Sequence, residues 1–141
     1  MEGSGRILEM MAMPDKFIMR DSGKRRKFST GAVRDRTEGK GWYHCISPFM
    51  EDRLAKWLEL GGRKYGERNW ERGMPFSRFV DSAKRHLAKF AMGLGDEDHL
   101  AAIIFNIQAI IHFQELGRKD LDDMPHYLSG VRPDTKIREK P

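Results

Sequence analysis

A chain of 141 residues with 33% charged side chains and a formal charge of +5 is large enough for one hydrophobic core and needs no second. Its longest apolar stretch, Leu100 to Phe113, is broken by Asn106, Gln108 and His112 and is too short for a hydrocarbon layer of about 30 Å, which excludes a membrane span. A lone cysteine, Cys45, excludes an internal disulfide, and the opening Met1-Glu2-Gly3-Ser4-Gly5 carries no secretory pattern, so the expected location is cytoplasmic.

Residues 1–20 read as a flexible N-terminus and residues 21 to about 46 as an extended arm. Their apolar residues, Phe17, Ile18, Met19, Phe28, Val33, Trp42 and Tyr43, keep no helical period. Trp42 and Tyr43 are costly to leave in water, so the arm is expected to pack on the core. Within it Lys24-Arg25-Arg26-Lys27 is open to two readings, a solvated charge run or a non-specific contact to nucleic-acid phosphates.

Ser47-Pro48 opens the first predicted helix, because serine can cap free backbone N–H groups and proline is tolerated in the first turn. Met50, Leu54, Trp57, Leu58, Gly61 and Tyr65 then recur at threes and fours on one face. Gly61, Gly62 and Gly66 predict an end near residue 62, followed by a looser turn through Lys64-Tyr65-Gly66 and Asn69-Trp70. A second helix follows Gly73, with Pro75 in its first turn and Phe76, Phe79, Val80, Ala83, Leu87 and Phe90 as its inward stripe. Gly93 and Gly95 end it. Asp96-Glu97-Asp98 supplies a cap and favourable charge for a third helix, Leu100 to about Leu116, which is apolar on nearly every side and therefore central. Gly117 closes this helix, Leu121 to Pro125 reads as a short helical turn, and residues 129–141 read as a flexible C-terminal tail. The expected fold class is all-α, a small bundle of three to four helices with an extended N-terminal arm, completed by homo-oligomerisation.

The polar residues placed against the core pattern carry what chemistry there is. Ser82, Arg85 and His86 flank the stripe of helix two, while His99, Ala102 and Asn106 share a face of helix three because their separations are three and four. If the two helices pack together, these residues converge with Asp96, Glu97 and Asp98 into a pocket for phosphate and metal. The plainer alternative makes His86 and Asn106 hydrogen-bonded core residues and the acidic triplet a capped helix start. Trp70 can pack the bundle or stack on a base. A P-loop, a zincin helix and a cysteine with a histidine partner are all missing from the sequence.

Several blocks then add up to a resemblance. Asp21 to Arg25, Phe28 to Asp35, Glu38 to Gly41, Gly62 to Gly66, Asn69 to Gly73, Ser82 to Leu87, Asp96 to Ala102, Asn106 and Leu121 to Pro125 resemble, in order, the signature blocks of the phage dATP/dGTP diphosphohydrolase-like N-terminal domain over residues 21–128. That resemblance implies a likeness to all-helical MazG-type pyrophosphohydrolases and cleavage of purine deoxynucleoside triphosphates to monophosphate and pyrophosphate, in a host cytoplasm for a phage gene. It further implies Mg2+ or Mn2+ at Asp96, Glu97 and Asp98, catalytic roles for His86, Asp98 and His99, and nucleotide or phosphate contacts from Arg34, Lys64, Asn69, Trp70, Arg85 and Asn106. The paired-glutamate helix that holds magnesium in MazG-type enzymes has no counterpart here, and Glu51 and Glu59 do not replace it. Either the metal site is rebuilt around His86 and Asp96 to His99, or the domain is a non-catalytic module that binds nucleotide or nucleic acid. An oligomeric scaffold is a third reading.

Overall fold

Three segments combine apolar spacing with chemically defined ends, and these become the three helices of a computed structural model that describes residues 18–128. The stretches 1–17 and 129–141, which hold most of the two expected flexible ends, lie outside the described residues. Helix α1 spans Pro48–Tyr65, α2 spans Phe76–Ala91 and α3 spans His99–Glu115. The Oγ of Ser47 accepts the Met50 N–H at 3.4 Å, with Pro48 in the first turn. Asp98 caps α3 by accepting the Ala101 N–H at 3.1 Å.

The first helix runs through Gly61-Gly62 to Tyr65, past the expected end near 62. Glycine in an exposed helix interior costs roughly 1 kcal/mol, yet here the turn is closed by the Gly66 N–H donating to the Gly62 carbonyl at 2.8 Å and flanked by an i,i+4 pair of Glu59 and Arg63 at 3.2 Å. Pro75 is the N-cap of α2 rather than a first-turn residue, and it makes no side-chain cap. That task falls to Asp123, which accepts the Ser77 N–H at 2.8 Å and the Ser77 hydroxyl at 2.5 Å. The expected fourth helix is reduced to a 3-10 turn, Lys119–Leu121, packed under the start of α2: a Cβ on Gly73, whose φ is +91°, would meet Leu121 at 2.9 Å.

Helix α3 is central, packing on α2 over most of its length and on α1 more lightly. Its buried residues Ala102, Asn106, Ala109 and Phe113 follow a 4-3-4 spacing on one face. Phe76 and Phe79 of α2 meet Ala109 and Phe113 there, with Trp70, Ile110, Leu121 and Met124 around them. The inward stripe of α2 departs from expectation at its C-terminal half: Leu87 is 55% exposed and Phe90 50%. The line of contact with α3 passes instead through His86, whose ring lies 5.2 Å from that of His99. Tyr65 likewise leaves the inward face of α1 and is exposed.

The arm is not simply extended. Arg25–Lys27 (β1) and Val33–Asp35 (β2) form an antiparallel hairpin with Arg26 opposite Arg34, a strand signal too short to register as alternation in sequence. Its turn is closed by reciprocal bonds between Phe28 and the Gly31–Ala32 segment at 2.9 Å. Trp42 and Tyr43, expected to pack on the core, are 74% and 78% exposed. Among the described residues no helix is long and apolar enough to cross a membrane.

Candidate functional site

The light contact between α1 and α3 leaves an open groove of about 1480 Å³. Its walls are the C-terminal half of α1, the 3-10 turn Asn69–Arg72 and the residues leading into α3. Trp57, Ser82, Phe105 and Asn106 line its inner side. Such a volume accommodates a nucleotide, since pockets for small ligands occupy roughly 300–1,000 Å³.

Next to the groove wall formed by Gly95 to Asp98 lies a cluster from α2 and the start of α3. His86 on α2 and His99, the first residue of α3, bring their Nδ1 atoms to 2.9 Å. His99 is buried, and its Nε2 lies 2.9 Å from a carboxylate oxygen of Asp96. Because an ionised carboxylate only accepts, Asp96 fixes the proton of His99 on Nε2 and leaves a lone pair on its Nδ1. The edge of Trp57 stands against the His86 ring at a centroid distance of 5.7 Å. A carboxylate oxygen of Glu97 lies within 4.8 Å of both imidazoles, and that side chain also faces the Lys89 ammonium at 3.9 Å.

The electrostatics separate the three acidic residues. Burial holds the His86 pKa below the usual imidazole value against the opposing pull of Glu97, which favours the neutral ring. The hydrogen bond to His99 lowers the Asp96 pKa. Asp98 is brought down to about 2 by the Arg53 guanidinium, which bridges both of its oxygens at 2.8 and 2.6 Å. Together with the helix cap, this pair commits the Asp98 carboxylate to joining α1 to α3.

Of the residues singled out in sequence, the structure gathers His86, Asp96, Glu97 and His99 into one cluster, and places Lys64, Asn69, Trp70, Asp98 and Asn106 around the groove. The Lys64 ammonium rests 5.1 Å from the Tyr65 ring centroid. Trp70 packs edge-on against Phe105, His112 and Phe113. Asn106 donates to the Ala102 carbonyl at 2.7 Å and to the Ser82 hydroxyl at 3.2 Å. Arg85 is drawn into an ion pair with Asp81 one turn earlier on α2, and Arg34 sits on the hairpin; neither lines the groove.

Three residues of the site escaped the sequence reading. Arg53 lies on the polar side of α1, and only the approach of α3 gives it a partner. Tyr65 and Arg68 line the groove because the chain turns sharply after Gly66. Arg68 adopts a left-handed backbone with φ of 57°, a conformation that costs a non-glycine residue roughly 1 kcal/mol, and its guanidinium is held by Glu71 at 2.6 Å. No pattern of residue types announces that geometry.

The groove and the histidine cluster both fall inside the span that matches a known family: residues 30–124 match dATP/dGTP diphosphohydrolase, N-terminal. The chain belongs to this family. A relative from Salmonella phage PMBT28, a protein named dATP/dGTP diphosphohydrolase, is 31% identical over 61 residues, which is 43% of this chain and 21% of the relative. The chain thus spans about a fifth of the length of the curated relative it matches. No solved structure matches. The family span begins at Thr30, so β1 and the run Lys24 to Lys27 precede it, while β2 with Arg34, all three helices and Asp123 lie within it.

Proposed function

We propose that the groove binds a purine deoxynucleoside triphosphate and that the protein hydrolyses it to monophosphate and pyrophosphate. The observation that carries this reading is that the family named for that reaction matches the residues forming the groove and the histidine cluster beside it. Lys64 and Arg68 on the rim supply positive charge for a polyphosphate. Tyr65 and Trp70 offer ring surface to a purine, and Ser82 and Asn106 offer polar contacts deeper in. Asp96 orients His99, and His99 in turn orients His86, so the imidazoles are fixed before substrate arrives. Asp98, held by Arg53, contributes by positioning the walls of the groove. A divalent cation at the histidine and carboxylate cluster, where imidazole donors suit Mn2+ better than Mg2+, would neutralise phosphate oxygens and acidify a water molecule.

Chromatography of the products after incubation with each dNTP and NTP, with magnesium or manganese, tests the proposal. Monophosphate and pyrophosphate from dATP or dGTP are expected. A panel of intact nucleotides under both metals removes the hydrolase reading.

The hairpin favours a second, non-catalytic role. Arg25 is neutralised by Asp21 and Asp35 at 2.6 and 2.7 Å, but Arg26 and Arg34 stand directly opposite each other, where like charges repel unless an anion lies between them. Nucleic acid bound there would lose affinity steeply with salt. The exposed stripe of Ile107 and Ile111, on the side of α3 away from Phe113, supports a homo-oligomer that covers it. Light scattering would find a monomer if that stripe stays bare.

A further inference from the structure

We infer that the His86 Nδ1, the His99 Nδ1 and a Glu97 carboxylate oxygen form a centre for one transition-metal dication, with Asp96 as the outer partner that orients His99. This inference shares the cluster beside the groove with the reaction proposed above but does not rest on it, because metal uptake is measured without nucleotide.

The spacing of the two imidazoles is that of ligands sharing an ion. At metal–nitrogen distances of about 2.0–2.1 Å, two adjacent ligands on one ion stand about 2.9–3.4 Å apart, depending on coordination number. The two Nδ1 atoms are 2.9 Å apart, and Glu97 completes the one group of three His, Cys, Asp or Glu donors that converges among the described residues. Both histidines sit on helices packed along their length, α2 and α3, so the pair is held in place by the core. The contact between Asp96 and the His99 Nε2 at 2.9 Å is the carboxylate–imidazole arrangement that fixes a ligating tautomer and raises its basicity.

The donor set also selects the ion. Magnesium demands oxygen ligands in near-octahedral geometry and keeps much of its water, whereas two imidazoles and one carboxylate suit zinc, cobalt, manganese and their neighbours. An all-carboxylate site is not assembled here, since Asp98 is held on both oxygens by Arg53 and Asp96 by His99. Among the described residues the Glu97 carboxylate pairs loosely with the Lys89 ammonium at 3.9 Å, a contact it can exchange for an ion. Glu97 lines the groove, while His99 is buried behind it. Without an ion, one Nδ1 must carry a proton and donate to the other; with an ion, both present lone pairs.

The test is titration of chelator-treated full-length protein with Co2+, followed by calorimetry and by the visible d–d bands that imidazole and carboxylate ligation produces. One ion per chain is expected, displaced by Zn2+ and not by millimolar Mg2+. Glu97→Gln, at an exposed position, is expected to keep the helical circular dichroism and weaken Co2+ binding by about 10–100-fold; Asp96→Asn is expected to weaken it by about 10–100-fold as an outer partner. Absence of saturable uptake at one ion per chain, or uptake unchanged by both Glu97→Gln and His86→Gln, overturns the centre and leaves an Nδ1–H···Nδ1 hydrogen bond. Hydrolysis of dNTPs with magnesium and no cobalt uptake would sink the centre and keep the hydrolase; cobalt uptake with every nucleotide intact would do the reverse.

Discussion

The interface between α2 and α3 has two ends of opposite character. At one, Phe76 and Phe79 meet Ala109 and Phe113, with Phe79 and Phe113 fully buried and their rings stacked at 6.2 Å. At the other, the same two helices bring together His86 and His99, with Asp96 and Glu97 beside them. The aromatic end is buried and fixes the register of the pair by packing; the histidine end, with Asp96 and Glu97 on the groove wall, inherits that register. A binding constellation needs supporting structure that does not move, and here the support lies about two to four helical turns away along the same interface.

That division is most easily broken at its aromatic end. Phe113→Ala should cost about 3–5 kcal/mol through lost transfer energy and the cavity left behind, a large share of the roughly 5–15 kcal/mol that holds a domain of this size together. Urea unfolding should register the loss as a lower midpoint. A cost under about 1 kcal/mol would mean that the pair is held elsewhere. Glu97→Gln, in contrast, should leave the same midpoint in place while altering metal uptake. Asn106 lies between the two ends and is buried with its amide shared by Ala102 and Ser82. Asn106→Ala should cost about 1–2 kcal/mol, the range for a buried hydrogen-bonding group lost from a core, and should also weaken nucleotide binding in the groove. If stability falls and nucleotide affinity stays the same, Asn106 belongs to the packing end alone.

How far the sequence carried this picture differs along the same interface. Helix spans were legible because their ends are chemical: Ser47 and Asp98 cap as their side chains allow, and Gly93, with φ of +80°, ends α2. The convergence of His86 with His99, Asp96 and Glu97 was legible too, since it follows from spacing on two helices once they are paired. What spacing cannot convey is the crossing of one helix over another. That crossing turned Leu87 and Phe90 outward, and it gave Arg53 to Asp98. Nor could three-residue strands announce the hairpin, because Arg26 and Arg34 find each other only through the turn at Gly31.

A smaller effect sharpens the contrast between groove and core. Arg68 holds a left-handed backbone on the groove rim, where glycine would relieve local strain but add freedom to the unfolded chain. These terms oppose each other, so Arg68→Gly should shift the thermal midpoint by no more than a couple of degrees. Nucleotide affinity should nonetheless fall severalfold, as a guanidinium is lost from the rim. Equal affinity for dATP in the variant and the parent would remove Arg68 from the site.

The smallest expected effect concerns the cap that the chain end provides for α2. Pro75 offers no side-chain acceptor, so the free N–H at Ser77 depends on Asp123, whose pKa is lowered chiefly by the Ser77 hydroxyl and then by its N–H. A carboxyl whose folded pKa lies below its unfolded value stabilises the fold at neutral pH, and that contribution is lost as pH falls below the ordinary aspartate value of 3.8 and through the folded pKa. The group is exposed, and solvent screening keeps its share modest. Asp123→Asn keeps an oxygen for the Ser77 N–H but replaces the acceptor of the Ser77 hydroxyl with an amide donor. The variant should melt about one degree lower than the parent at pH 7, since the group is screened by solvent, and the gap should narrow as both are taken toward pH 3. A gap that stays constant down to pH 3 would show that the charge on Asp123 plays no part, and that Leu121 and Met124, packed beside it on the core, hold the start of α2 in place.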